Sequence, residues 1–424
     1  MNLFFLGGMG TLLLIGLPVA FALALLAIAG MYFFNGGTFA FMQIPIISYK
    51  SLDDFTLTAL PMYVLMSQVL LVSGVGRDLY EMGSRWFRHF PGGLAIATIF
   101  CCTIFSAISG SSVATAVTVG SVALPEMVQR GYNKRYVLGL LAAGGTLGIL
   151  IPPSVPMIIY GSVTGESIGK LFIAGIVPGL ILTILFMVFA SYQTRHIKDI
   201  PATWKERMEA TKKAIWGLLL PVIVIGGIYS GLFTPTEAAA VGVVVSFVIS
   251  AFVYRNLNWK NFKKMIISTV NTNAMILLIM VGAMLLGYIM TILQIPQLIT
   301  NYATEQNISP WVIFILINIA LLILGMFLET ISIIVITVPI LYPIVTTLGF
   351  DPIWFAIIMV INMELALISP PVGLNLFVLK GIDKSNTISE IVKGVIPYAI
   401  IMVFFIVLLS LFPEIATFLI NKVD

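Results

Sequence analysis

The stretch LGILIPPSVPMIIYG, Leu147–Gly161, and the stretch LALISPPVGLNLFVL, Leu365–Leu379, are near copies of each other. Each is an apolar run broken by Pro-Pro where a membrane helix would continue. Proline removes an N–H donor and disturbs the preceding turn. At membrane depth the freed carbonyls are tolerated only where protein, water or a bound cation satisfies them. The two pairs lie 370 − 152 = 218 residues apart. The same offset carries Pro125 onto Pro343, Gly131 onto Gly349, Val117 onto Val335 and Leu147 onto Leu365, without a gap. It also carries SGSSVAT (Ser109–Thr115) onto FLETISI (Phe327–Ile333). The chain reads as a duplicated unit of helix, hairpin and broken helix.

Composition sets the class. Of 424 residues, 59% are hydrophobic and 9% charged, with a mean hydropathy of +1.08. Soluble proteins carry about 25% charged residues, so the chain is a polytopic membrane protein. Apolar spans are expected over Leu3–Phe34 (one helix, or two broken at Gly16-Leu17-Pro18), Thr56–Ser73, Tyr136–Gly161, Ile168–Tyr192, Ile215–Ser230, Ala238–Tyr254, Met265–Met290 and Gly394–Phe418. Gly92–Val128 and Pro310–Leu348 each hold two apolar arms around a polar tip, and Phe350–Lys380 is a further interrupted span. The net charge of +4 matters less than its placement. Basic residues cluster around Arg77–Arg88, Arg130–Arg135, Arg195–Lys213, Arg255–Lys264 and Lys380–Lys393, with Lys198 and Lys384 among them. The positive-inside rule makes these loops cytoplasmic. The segment 92–128 then enters and leaves on the cytoplasmic face. The segment 310–348, whose flanks carry no Lys or Arg, enters from the other side. The expected fold is all-α, with two inverted repeats, each holding a re-entrant hairpin and a broken helix. Cys101 and Cys102 read as packing residues, and His89 and His196 as interfacial anchors. No signal peptide is read at the start.

The hairpin tips and breaks hold the polar groups. Tip 1 offers Ser106, Ser109, Ser111, Ser112, Thr115 and Thr118, with Gly110 between them. Small hydroxyl residues beside glycine expose oxygens that suit a hard monovalent cation; close helix packing uses the same residues. The second unit supplies Gly325, Glu329, Thr330, Ser332 and Thr337, then Glu364, Ser369, Gly373 and Asn375. Glu329 and Glu364 are costly inside a membrane. Cation binding, proton carriage and pairing within the protein all stay open for them. Glu237 reads as the second half of a capping box with Thr234, and Glu126 as interfacial. No nucleotide-binding lysine motif, metal-ligand spacing, nucleophile–base pair or nucleic-acid signature is present, so an enzyme is not expected. Inverted repeats with broken helices are the mark of alternating-access transporters. A channel with re-entrant filter segments is the alternative.

The stretches SGSSVATAVTVGSVALPEM, GGTLGILIPPSVPMIIYG and ELALISPPVGLNLF resemble the large membrane subunit of tripartite ATP-independent periplasmic (TRAP) transporters. The resemblance runs over essentially the whole chain. It implies a protein of the bacterial inner membrane that imports an organic acid with Na+ by an elevator motion. The acid is of the sialic acid or C4-dicarboxylate class, with a lean to sialic acid. The implied partners are a small four-helix membrane subunit, expected as a separate chain, and a periplasmic substrate-binding protein, besides the lipid bilayer. Carried over by position, the resemblance implies a first sodium site at Ser106, Ser109, Gly110, Ser111, Ser112, Gly145 and Pro152. A second is implied at Gly325, Glu329, Thr330, Ala366, Ser369 and Gly373. Substrate is expected at Ser112, Thr115, Pro153, Ser154, Ser332, Pro371 and Asn375. Lys50, Asp53 and Asp54, the first charges in the chain, are expected on the outer face as a partner surface. Residues 56–161 and 265–380 are expected to form the transport domain. Residues 1–55, 162–264 and 381–424 are expected to form its scaffold.

Overall fold

The computed structural model describes residues 2–197, 199–383 and 385–420. Lys198 and Lys384, used in the charge reading, lie outside them. The described chain is helical. Its first part runs α1 (Asn2–Leu14), α2 (Val19–Phe34), α3 (Gln43–Leu52), α4 (Ala59–Ser73) and α5 (Val75–Phe87). Hairpin 1 is α6 (Gly93–Ser109) and α7 (Ser112–Gln129), and the first broken helix is α8 (Lys134–Thr146) and α9 (Val155–Thr164). Then come α10 (Ile168–Gln193), α11 (Trp204–Tyr229), α12 (Pro235–Val248), α13 (Trp259–Ile292) and α14 (Ile295–Glu305). Hairpin 2 is α15 (Pro310–Gly325) and α16 (Thr330–Thr347), and the second broken helix is α17 (Pro352–Leu367) and α18 (Leu374–Ile382). The chain closes with α19 (Ile388–Leu411) and α20 (Glu414–Thr417). Seven of these segments, counting short continuations, are long and apolar enough to cross a membrane.

The duplication is visible in the backbone. Adding 218 to the bounds of α7 gives 330–347, those of α16. Gly131 and Gly349 both turn left-handed, at φ 84° and 83°, a conformation that favours glycine. Two residues on, Asn133 and Asp351 cap the next helices, accepting from the Arg135 and Trp354 N–H groups. Both Pro-Pro bonds, Pro152-Pro153 and Pro370-Pro371, are cis.

Leu3–Phe34 forms two helices. The Phe4 ring meets Phe33 and Phe34, at 6.1 and 5.4 Å between centroids, so the pair runs antiparallel. Several spans begin before their apolar part because a cap starts them earlier. Thr203 and Glu206 form a capping box that opens α11 eleven residues ahead of Ile215 (215 − 204 = 11). Asn258 likewise caps α13 at Trp259. The box of Thr234 and Glu237 is present as read from sequence. α5 and α14 were not expected; both are short amphipathic helices without a long apolar run.

Packing groups the helices. α11 packs on α5, α12 on α4, and α13 on α2. Tyr63 Oη donates to the Pro235 carbonyl at 3.1 Å, joining α4 to α12. α10 packs on α6, and α19 on α8. The α8–α19 contact is backbone to backbone: a Cβ on Gly139 would collide with the Gly394 carbonyl oxygen. So α10 and α19 lie with the hairpins, while α4 and α13 lie between the hairpins and α12 and α2, since α4 also packs on α6 and α13 on α16.

Candidate functional site

Tip 1 is built by α6 stopping and α7 starting. Gly110 ends α6 in the left-handed region, at φ 58°, with its N–H on the Ser106 carbonyl at 2.9 Å. Ser111 then caps α7, its Oγ accepting from the Ala114 N–H at 3.4 Å. Ser109 and Thr115 hydroxyls share a hydrogen bond of 3.0 Å, and Thr115 also donates to the Ser111 carbonyl at 2.9 Å. The tip presses on break 1 from both sides. A Cβ on Gly110 would lie 2.9 Å from the Pro153 carbonyl oxygen, and one on Gly148 2.7 Å from that of Ser111. Gly145 sits as tightly against Ala116. Ser154 donates back to the Ile149 carbonyl at 2.5 Å, closing the break on itself. The Ser106 hydroxyl is buried among the described residues with no partner.

Tip 2 meets its break differently. Glu329 stands at the N-cap of α16, but its carboxylate makes no capping bond. The Gly373 N–H donates to the Met326 carbonyl at 3.2 Å, joining break to tip. Gly325 packs on Ala366, where an added Cβ would collide with the alanine methyl. Ser369 donates to the Leu365 carbonyl at 2.7 Å. Near the tips a side-chain pair crosses between the repeats. Asn375 at the start of α18 bonds the Ser112 hydroxyl, with its Nδ2 2.6 Å away, and reaches the Ala142 carbonyl at 3.2 Å.

The two tips, the two breaks, α4 and α13 enclose one cavity of about 270 Å³. Ser109, Gly110, Ser111, Ser112, Glu329 and Thr330 line it. The first turns of four helices face it: Ser112–Ala114 of α7, Val155–Pro156 of α9, Thr330–Ile331 of α16 and Leu374 of α18. Helix starts present free N–H groups and a positive dipole end. The last residues of α6 and α17, Ser109 and Leu367, present the opposite end. Glu329 is the one charged residue among those that line the space.

Of the expected substrate residues, Ser112 lines this cavity. Thr115, Ser154 and Asn375 are buried in the hydrogen bonds just described. Pro153 and Ser332 are also buried, and Pro371 is exposed on break 2. Sequence reasoning missed Ser67, Gln68 and Thr272, which line the cavity from α4 and α13. Their signal was a polar side chain in a plain apolar span, which fits many other roles equally well. Glu364 is fully buried on α17, and neither carboxylate oxygen has a partner among the described residues. Lys50 and Asp53, expected on the outer face, are exposed. Asp54 turns inward instead, accepting from the Ser162 and Thr56 hydroxyls, each at 2.6 Å. Burial raises its carboxyl, but these bonds outweigh burial and hold it below the usual value.

The chain has close relatives. It is 42% identical over 377 residues to the C4-dicarboxylate TRAP transporter large permease protein DctM of Pseudomonas aeruginosa, covering 88% of each chain. It is 34% identical to the sialic acid TRAP transporter large permease protein SiaM of Vibrio cholerae, covering 95% of this chain and 94% of that one. Among solved structures, the Alcanivorax borkumensis YdaH transporter shares its fold at a TM-score of 0.65 and 15% identity. That match covers 91% of this chain and 90% of the other. Residues 6–415 match the family of the tripartite ATP-independent periplasmic transporter, DctM component. The protein is thus a multi-pass protein of the bacterial inner membrane, and the chain belongs to the DctM family of TRAP transporter large permease subunits.

Proposed function

We propose that the chain carries a small organic anion inward, coupled to sodium, with a C4-dicarboxylate as the first choice of cargo. The observation that supports this best is the meeting of both kinds of helix end on one cavity. Starting turns offer N–H groups to carboxylates, and helix C-terminal ends offer carbonyls to a cation. We assign a first sodium ion to tip 1 and its break, where Ser106 has a buried, unpartnered hydroxyl. A second goes to tip 2, where the Glu329 carboxylate faces the cavity. The C4-dicarboxylate choice rests on the identity to DctM being higher than that to SiaM; it replaces the lean to sialic acid. A periplasmic binding protein that delivers the acid onto the face bearing Lys50 and Asp53, and a small four-helix membrane subunit, complete the reading.

The motion proposed is an elevator. Rigid movement of one bundle against another is the general form of alternating access. Packing supports a moving body of both hairpins and both broken helices, together with α10 and α19. α2, α4, α11, α12 and α13 then stand still. Uptake into proteoliposomes with both partners, across a panel of organic acids, tests this. Saturable uptake that needs a sodium gradient is expected; gradient-independent conductance would overturn it in favour of a channel. Cysteine cross-links between α13 and α16 should stop uptake, and links between α8 and α19 should not. Full uptake with α13 locked to α16 would end the elevator reading.

A further inference from the structure

A second polar cavity lies far from the hairpin tips. It has a volume of about 470 Å³ and opens where α8 begins, α10 ends and α19 begins. Arg135, His196 and Lys393 line it, together with Asn133, Gln193 and Thr194. The lining holds no carboxylate. The nearby acids have partners. Asp383 pairs with Lys134 at 2.6 Å, and Asp199 with Arg130 at 2.9 Å. Glu390, one turn before Lys393, accepts from the Thr387 N–H and hydroxyl. Among the described residues the Arg135 guanidinium makes one hydrogen bond, of 3.4 Å, to the Lys393 carbonyl. Two cations and an imidazole therefore face one hollow with no anion supplied by the described residues.

The basic loops put this hollow at the cytoplasmic interface, the depth of lipid phosphates. Two apolar stripes run from it along the membrane. On α10, Val188 and Tyr192 are 62% and 65% exposed; on α19, Ile396 and Ile400 are 49% and 64% exposed. Phe189 and Tyr398 hold the two helices together between the stripes, with ring centroids 5.2 Å apart. We propose that this cavity holds the phosphate of an anionic phospholipid, with the acyl chains along α10 and α19. A soluble anion would use the cations alone; the stripes favour a lipid. The site is independent of the transport reading.

The test uses the purified full chain in mild detergent. It is reloaded from mixed micelles of phosphatidylglycerol and phosphatidylcholine, washed, and extracted for lipid mass spectrometry. Wild type should retain phosphatidylglycerol in preference. Arg135→Gln with Lys393→Gln should weaken that retention roughly 30-fold, from the usual contribution of two basic residues at a membrane surface. Arg135→Lys with Lys393→Arg should keep it, and shows that loss in the first variant comes from charge rather than from misfolding. Lys263→Gln with Lys264→Gln makes the same charge change elsewhere on that face and should leave retention intact. Equal loss in both neutralised variants, or no lipid preference in wild type, overturns the proposal. Inorganic phosphate displacing the lipid at equal concentration gives the cavity to a soluble anion and overturns it as well.

Discussion

Tip 1 and tip 2 occupy the same place in their repeats, 218 residues apart, and are held in different ways. Tip 1 is fastened by side chains: Ser109 to Thr115 within it, and Ser112 to Asn375 across the repeats. Its break is buried from Ile151 to Ser154. Tip 2 is joined to its break by the backbone bond from Gly373 to Met326. Its carboxylate is left free of a cap, and Pro370, Pro371 and Val372 are exposed. Even the seam glycine changes sides. Repeat 1 has Ala107 in the hairpin and Gly148 in the break; repeat 2 has Gly325 and Ala366 at the positions 218 further on. Duplication kept the bounds of the second hairpin arm, the left-handed turns at Gly131 and Gly349 and the caps at Asn133 and Asp351. The chemistry at the tips diverged, because backbone geometry tolerates many side chains once the turn itself is made.

The largest effect should come from the sealed side. Gly148→Val drives a side chain into the Ser111 backbone, which cannot swing aside as a flexible side chain would. Overpacking of this kind costs about 1–3 kcal/mol, and uptake should fall at least about ten-fold. The milder Ala366→Gly in the other repeat should keep most uptake. Equal effects would show that the seams are alike after all.

The next test sharpens the chemical difference. Glu329→Gln removes the charge of the proposed sodium ligand and should weaken sodium activation by about ten- to a hundred-fold, from the 1.5–3 kcal/mol typical of charged hydrogen-bond partners. Ser111→Ala, its counterpart in repeat 1, should weaken it by about ten-fold at most. Unchanged activation in both, measured as uptake against sodium concentration, would remove the tips as ion sites.

The tie between repeats should be smaller still. Asn375→Ala leaves the Ser112 hydroxyl and the Ala142 carbonyl short of a partner. A loss of about 1–2 kcal/mol is expected, read as a lower unfolding midpoint in detergent. Repeat 1 has Met157 in the equivalent place (375 − 218 = 157), so Met157→Leu should change little.

The smallest effect lies in the loop after α18. Hydrogen bonds from Lys134 and Ser385 hold the Asp383 carboxyl down to about 2. A depressed carboxylate stabilises above its ordinary range and loses that contribution as pH falls from about 4 to 2. Asp383→Asn should therefore flatten the acid side of the stability profile. The change should stay under about 1 kcal/mol, because the pair is exposed to water. Gly165, at the matching place in repeat 1, has no carboxylate to titrate.

The sequence alone determined that the chain spans a membrane, that it is a duplicated unit, and where its hairpins and breaks fall. Those features follow from apolar length, from charge-bearing loops and from proline's missing donor, and all three act locally. It also exposed the capping box at Thr234, since a box needs four consecutive residues. The tertiary structure decided the rest. Ser67, Gln68 and Thr272 line the cavity because α4 and α13 cross the tips, and no local pattern records that crossing. Thr115, Ser154 and Asn375, expected at the substrate, take hydrogen bonds within hairpin 1, within break 1 and across the repeats. A hydroxyl or amide near a break has the same letter whether it points into the cavity or across to the other repeat. Its direction is set by which helix packs beside it, a choice made by contacts hundreds of residues apart in the chain.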